Sequence, residues 1–196
     1  MKKIISLLFL ITVIFNGGSS ADVTKKIKRI SEGKESAEIT IITYESLTCS
    51  HCADFHKNIY PDLKKEFIDK GLVKIEFRHF PLDIAAFNAS KLAQCNNDGN
   101  SNLLHFLFSN QTKWAKGETI EEINGHLNKL LKNEDIAIDF EKCISNKSIE
   151  DYVLNDRIEG VKKFKVNSTP TIIINGKKFD KALNYKNIKK TLEKLI

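Results

Sequence analysis

Residues 47–56 read Leu-Thr-Cys-Ser-His-Cys-Ala-Asp-Phe-His, and the spacing of Cys49 and Cys52 decides how the chain is folded around them. Just upstream, Ala37–Tyr44 (AEITIITY) is rich in isoleucine and threonine, which suits a buried strand. Downstream, Cys52, Phe55, Ile59, Leu63 and Phe67 recur at helical spacing, so a helix is expected from Ser50 to about Lys70, kinked or split at Pro61. Gly71 punctuates, and Leu72–Phe80 (LVKIEFRHF) alternates as a second strand. Strand, helix and strand in this order make a βαβ unit with the cysteine pair at its first strand-to-helix junction.

The pattern then changes. From Asp83 to about Phe164 only helical periodicities run, over 83–96, 101–115, 118–132, 135–146 and 148–164. After Pro170, TIIIN reads as a strand, Asn175-Gly176 as a hairpin turn, GKKF as a returning strand and 185–195 as a final helix. The resulting division is 37–82 and 165–196 as one α/β unit, with 83–164 as a helical insertion. Residues 21–36 form a polar arm, expected to be mobile with a little helix. Trp114 is expected to anchor the insertion's core.

Residues 1–20 stand apart: a basic start, the apolar run Ile4–Phe15, then small residues. That is the three-part form of a secretory signal peptide, and the run is short for a membrane span. Its removal takes away Lys2 and Lys3 and no acid, so a net charge of +6 becomes +4. The lysines are scattered among glutamates and asparagines, and no basic stripe with interleaved aromatics suggests a nucleic-acid partner. An exported chain meets an oxidising compartment, where Cys49, Cys52, Cys95 and Cys143 can pair in three ways.

A C-x-x-C pair at a helix start has three readings. As a metal clip, Cys49, Cys52 and His56 have plausible spacing, but a closed tetrahedral site needs a fourth ligand and no second C-x-x-C or H-x-x-H accompanies them. As a structural disulfide the short loop is strained and reducible. As a redox pair, Cys49 sits where helix N–H groups and the macrodipole stabilise a thiolate, and Cys52 lies one turn inside, shielded. The ring of His51 would add to that stabilisation. If the Cys49 pKa falls from roughly 8.5 to about 4, the reduced form gains about 4 kcal/mol at pH 7, which raises the potential by roughly 90 mV. His56 reads as a packing or surface residue.

Taken together, ITYESLTCSHCADFH, RHFPLD, the helical insertion and STPTIIING resemble the DsbA-like thiol:disulfide oxidoreductases of the bacterial periplasm. The resemblance covers residues 37–196. It implies a thioredoxin fold, βαβ plus ββα with an inserted helical subdomain, in which a cis-proline loop faces the cysteines. By position it implies Cys49 as nucleophile, Cys52 as resolving cysteine, Ser50 and His51 as the tuning dipeptide, and Thr169-Pro170 as the cis-proline pair. No metal or organic cofactor is implied beyond the Cys49–Cys52 disulfide itself. The implied partners are folding secreted proteins with free thiols and a quinone-linked membrane reoxidase, with the chain a periplasmic monomer. Some alphaproteobacterial members resemble this chain in a second pair, so Cys95 and Cys143 are expected to form a structural disulfide, with buried thiols the alternative.

Two departures bear on direction. The acid six residues before the first cysteine is replaced by Thr43, and Glu45, of the same strand parity, could stand in for it. Serine also replaces the proline of the best-known dipeptide. A reductase or isomerase therefore remains the alternative function, followed by a chaperone or copper-binding module of the same fold.

Overall fold

The computed structural model describes residues 27–196; the expected signal peptide lies outside the described residues. Its centre is a sheet built from β2 (Ile39–Glu45) and β3 (Val73–His79), which run parallel in register Ile39 to Val73. Their inward residues, Ile39, Ile41, Val73, Ile75 and Phe77, are all nearly inaccessible. Each such side chain contributes about 1.5–3 kcal/mol of burial. β4 (Thr171–Ile174) lies antiparallel on the other side of β2, and β5 (Lys177–Lys178) returns beside it. Asn175 and Gly176 supply the two positive φ angles, 45° and 78°, that this tight hairpin requires.

The arm is a correction. Among residues 27–36, Ser31–Glu32 forms β1, paired antiparallel with β3, so the sheet order is β1-β3-β2-β4-β5. Ile30 is 1% exposed in the core, and Glu32 accepts from Tyr60, Ser101 and His105. A two-residue strand carries no alternation to read. Its anchorage comes from one buried isoleucine and a carboxylate whose partners are far away in sequence.

The helix after β2 splits as expected. α1 (Ser50–Asn58) ends at Ile59, whose φ of −119° departs from the helical value. α2 (Tyr60–Leu63) restarts with Pro61 near its first turn, where its missing N–H costs nothing, and runs into a π-helical turn, Lys64–Ile68.

Beyond β3 the chain forms α3 (Ile84–Gln94), α4 (Asn102–Ser109), α5 (Gln111–Trp114), α6 (Ile120–Asn133), α7 (Phe140–Ile144) and α8 (Lys147–Phe164), and α9 (Tyr185–Leu192) closes it. Asp83, Thr119, Asp139, Asn146 and Asn184 each accept an N–H from the first turn they cap. The helix expected over 135–146 shrinks to Phe140–Ile144. Asp135 takes a φ of +51°, which interrupts it, yet Ile136 still packs on the core. Trp114 is fully buried, as expected, and donates to the Leu107 carbonyl at 2.9 Å.

The insertion shares the core of the α/β unit: Leu104, Leu107, Phe108 and Trp114 belong to the same cluster as Phe55 and Phe77. α8 attaches to β3 through Asp156, 3% exposed, which accepts from Arg29 at 2.7 Å and from the His79 N–H at 3.1 Å. It also lies against Tyr44, whose ring occupies the space beside Gly160. A Cβ at Gly160 would meet Tyr44 Cε1 at 2.8 Å. Tyr44 is itself inaccessible and cannot swing away, so Gly160→Ala is expected to cost about 1–3 kcal/mol in denaturant unfolding. An unchanged midpoint would mean that α8 slides freely over the sheet.

Cys95 and Cys143 form a disulfide, with Cα atoms 5.5 Å apart, tying the end of α3 to α7. Lys91, one turn earlier on α3, reinforces the junction by donating to the Ile144 carbonyl.

Candidate active site

β2 delivers the chain to Cys49, which caps α1 in an extended conformation, φ −78° and ψ 120°. No side chain caps this helix and no acid occupies its first turn, so its N–H groups are left to face the sulfur. The loop before it is pinned from outside. Gln111 on α5 donates to the carbonyls of Leu47 and Cys49 at 2.8 and 3.0 Å, and Thr48 donates to Asp83 at 2.6 Å. Cys49 and Cys52 are present as thiols, the first part-exposed and the second buried.

Opposite them, the Thr169–Pro170 peptide bond is cis, and Cys49 Sγ donates to the Thr169 carbonyl at 3.3 Å. The structure thus brings Cys49, Cys52, Thr169 and Pro170 together. Ser50 and His51 are exposed on the first turn of α1. Beside the pair lies a cleft of about 540 Å³, with His51, Phe55, Ile59, Pro170, Leu183 and Tyr185 among its walls.

The two sulfurs are driven apart electrostatically. The Cys49 thiol is lowered to about 5. Donation from Cys52 leads, burial opposes it, and Thr169 and the backbone N–H groups of Cys52 and His51 add. The His51 share named here comes from its backbone N–H at the helix start. Cys52 is pushed far up, first by burial, then by its hydrogen bond to Cys49, then by the negative charge of Glu45. An exposed sulfur that ionises readily and a buried one that resists it suit nucleophile and resolving thiol respectively.

Sequence reasoning missed what lies behind Cys52. His56, one turn further along α1, is 8% exposed, so of its two expected readings packing holds and surface does not, but its partners were not foreseen. Its Nε2 is 2.9 Å from a Glu45 oxygen, and its Nδ1 is 2.9 Å from Nδ1 of His105 on α4. Both ring nitrogens are thereby engaged, so the metal-clip reading of Cys49, Cys52 and His56 loses its third ligand. Thr43, where the family's acid would stand, is buried with its hydroxyl toward the Glu76 carbonyl. The i, i+4 spacing of Cys52 and His56 was the available signal; nothing local marked His105 as its neighbour.

A family model described as thioredoxin matches residues 25–194. The chain belongs to the thioredoxin family. Within it, this chain is similar to alpha-DsbA1 of Wolbachia pipientis, a crystal structure 28% identical, with a TM-score of 0.76 over 85% of this chain and 90% of that one. It is 28% identical over 171 residues to disulfide bond formation protein D of Bacillus subtilis, covering 83% of this chain and 74% of that protein. A relative in Rickettsia bellii, provisionally named a protein-disulfide oxidoreductase, is 30% identical over 149 residues. That match takes in 74% of this chain and 56% of the relative, so this family member spans little more than half of that protein's length. The thioredoxin fold and the DsbA-like resemblance both follow from these matches.

Proposed function

We propose that this protein is an exported thiol:disulfide oxidoreductase that donates the Cys49–Cys52 disulfide to folding proteins. The observation that carries the reading is the opposed pair of thiols, Cys49 lowered to about 5 and Cys52 buried and raised. A low-pKa Cys49 is a good leaving group, and its stabilised thiolate favours the reduced protein, so the disulfide is readily given up. An extended substrate segment would lie in the cleft beside Pro170 and pair with the Thr169 backbone as an added strand. Residues 1–20 support export to the periplasm, where a quinone-linked membrane protein would restore the disulfide.

The experiment is a redox titration of Cys49–Cys52 against glutathione. A potential near about −120 to −180 mV is expected, at the oxidising end of the thioredoxin-like range. A value near about −270 mV would make the protein a reductase instead.

A further inference from the structure

Cys52 is fully buried, so the proton its thiol gains or loses in each exchange cannot come directly from bulk water. Glu45 Oε2, His56 and His105 are linked by the two 2.9 Å contacts described above, and His105 Nε2 is 2.8 Å from Glu32 Oε1. At one end of this chain, Glu45 Oε1 is buried with no partner, and the Glu45 charge is felt at the Cys52 sulfur. At the other, the His105 side chain is 22% exposed.

The contacts fix how many protons the chain holds. Each of the three requires one hydrogen between two heavy atoms, whereas two carboxylates and two neutral imidazoles carry only two. One extra proton must therefore be present. Burial alone would raise the Glu32 pKa, but hydrogen bonds from His105, Ser101, Tyr60 and Lys64 hold it well below the usual carboxylate range. The extra proton accordingly resides on the imidazoles or on Glu45.

We propose that His56 and His105 form a proton path that links Glu45, beside the buried Cys52 sulfur, to solvent at the Glu32 end. The proposal rests on the oxidoreductase reading. When a substrate thiolate attacks Cys49 Sγ, a new S–S bond forms, the Cys49–Cys52 bond breaks and its electron pair leaves on Cys52 Sγ. That thiolate takes a proton from Glu45. The chain, now one proton short, is refilled through His56 and His105 from water. When the disulfide is restored, the proton travels outward by the same route. The groups facing the path are Cys52 on α1, Tyr60 on α2, Lys64 at the π-helical turn, Glu32 on β1 and Ser101 before α4, while Phe108 stacks on the His56 ring, Tyr60 stacks on the His105 ring, and Phe77 meets His56 at a tilt and His105 edge-on. His56 and His105 are positioning residues: neither touches the substrate.

The test uses the reduced full chain mixed with oxidised glutathione. Acid-quenched samples are read by mass spectrometry for the glutathione adduct on Cys49 and for its conversion to the Cys49–Cys52 disulfide. His105→Ala is expected to slow that closure by about 100-fold at pH 6. The loss should shrink about tenfold per pH unit as hydroxide takes over, and added imidazole should restore the rate because His105 reaches solvent. His105→Gln, which keeps a polar group in the stack, should show the same pH dependence, and Glu45→Gln should be slow without rescue by imidazole. Closure of His105→Ala at the wild-type rate, or slowing that neither pH nor imidazole changes, overturns the path. If wild-type protein forms no adduct or never closes it, the oxidoreductase reading falls and the path with it.

Discussion

Replacing Cys95 and Cys143 together by alanine is expected to cost about 4 kcal/mol of stability without touching exchange at Cys49. The two are 48 residues apart in sequence, and closing a loop of that length removes roughly that much chain entropy from the unfolded state. For a domain of this size the loss corresponds to a melting temperature lower by roughly 8–16 °C. Cys143 is 2% exposed, so the alanines also leave a small void, which pushes in the same direction. The bridge ties α3 to α7, while the loop before Cys49 is held separately by Gln111 and Asp83. The rate of glutathione adduct formation at Cys49 should therefore stay within about twofold of wild type at 25 °C. A melting temperature lowered by less than about 2 °C would show that packing of Lys91 and Phe140 already holds the junction. A slowed reaction at Cys49 would show instead that the bridge, through α3 and its cap Asp83, helps to hold the loop before Cys49.

The architecture was readable because local signals and tertiary packing agree in it. Isoleucine-rich β2, alternating β3, Pro61 inside a helical stripe and Asn175-Gly176 each carry their own mechanism, and each element formed where those mechanisms place it. β1 was not readable, because two residues are too few for a periodicity. Its place on β3 depends on Ile30 entering a core assembled from distant segments. The cysteine pair declared itself through spacing alone. The chain behind it did not. Glu45 stood out only against the family's pattern, and His56 and His105 each look like a lone histidine on an apolar helix face. Their meeting depends on how α4 packs on α1, which no local pattern encodes. At His51 the sequence suggests a ring acting on the thiolate, and the helix start adds its backbone N–H, which no side-chain pattern shows.

The gap in stability between the reduced and oxidised protein is expected to swing by about 2–3 kcal/mol between pH 5 and pH 8. The folded Cys49 pKa, about 5, lies below its ordinary value of 9.0. A group lowered by folding adds stability that is complete above the unfolded pKa and is lost as pH falls through the folded one. The oxidised protein has no such thiol, so the comparison isolates it. Over three pH units the full effect would be about 4 kcal/mol at 1.36 kcal/mol per unit, and solvent screening of the part-exposed sulfur trims it to about 2–3. Cys52 works the other way, but only as the unfolded thiol ionises near its ordinary value of 9.0, which is why pH 8 is the upper limit. Against this stands about 2 kcal/mol from closing so short a loop in the oxidised form. The oxidised protein should therefore melt higher at pH 5, and the two forms should converge or cross by pH 8. Paired calorimetric scans of each redox form would measure it. A gap that stays constant over this range would mean that the fold does not favour the Cys49 thiolate, and the case for a disulfide donor would go with it. In His51→Ala most of the swing should survive, because the alanine keeps the N–H that faces the sulfur; a swing that vanished would show that the imidazole carries the stabilisation and does not merely add to it.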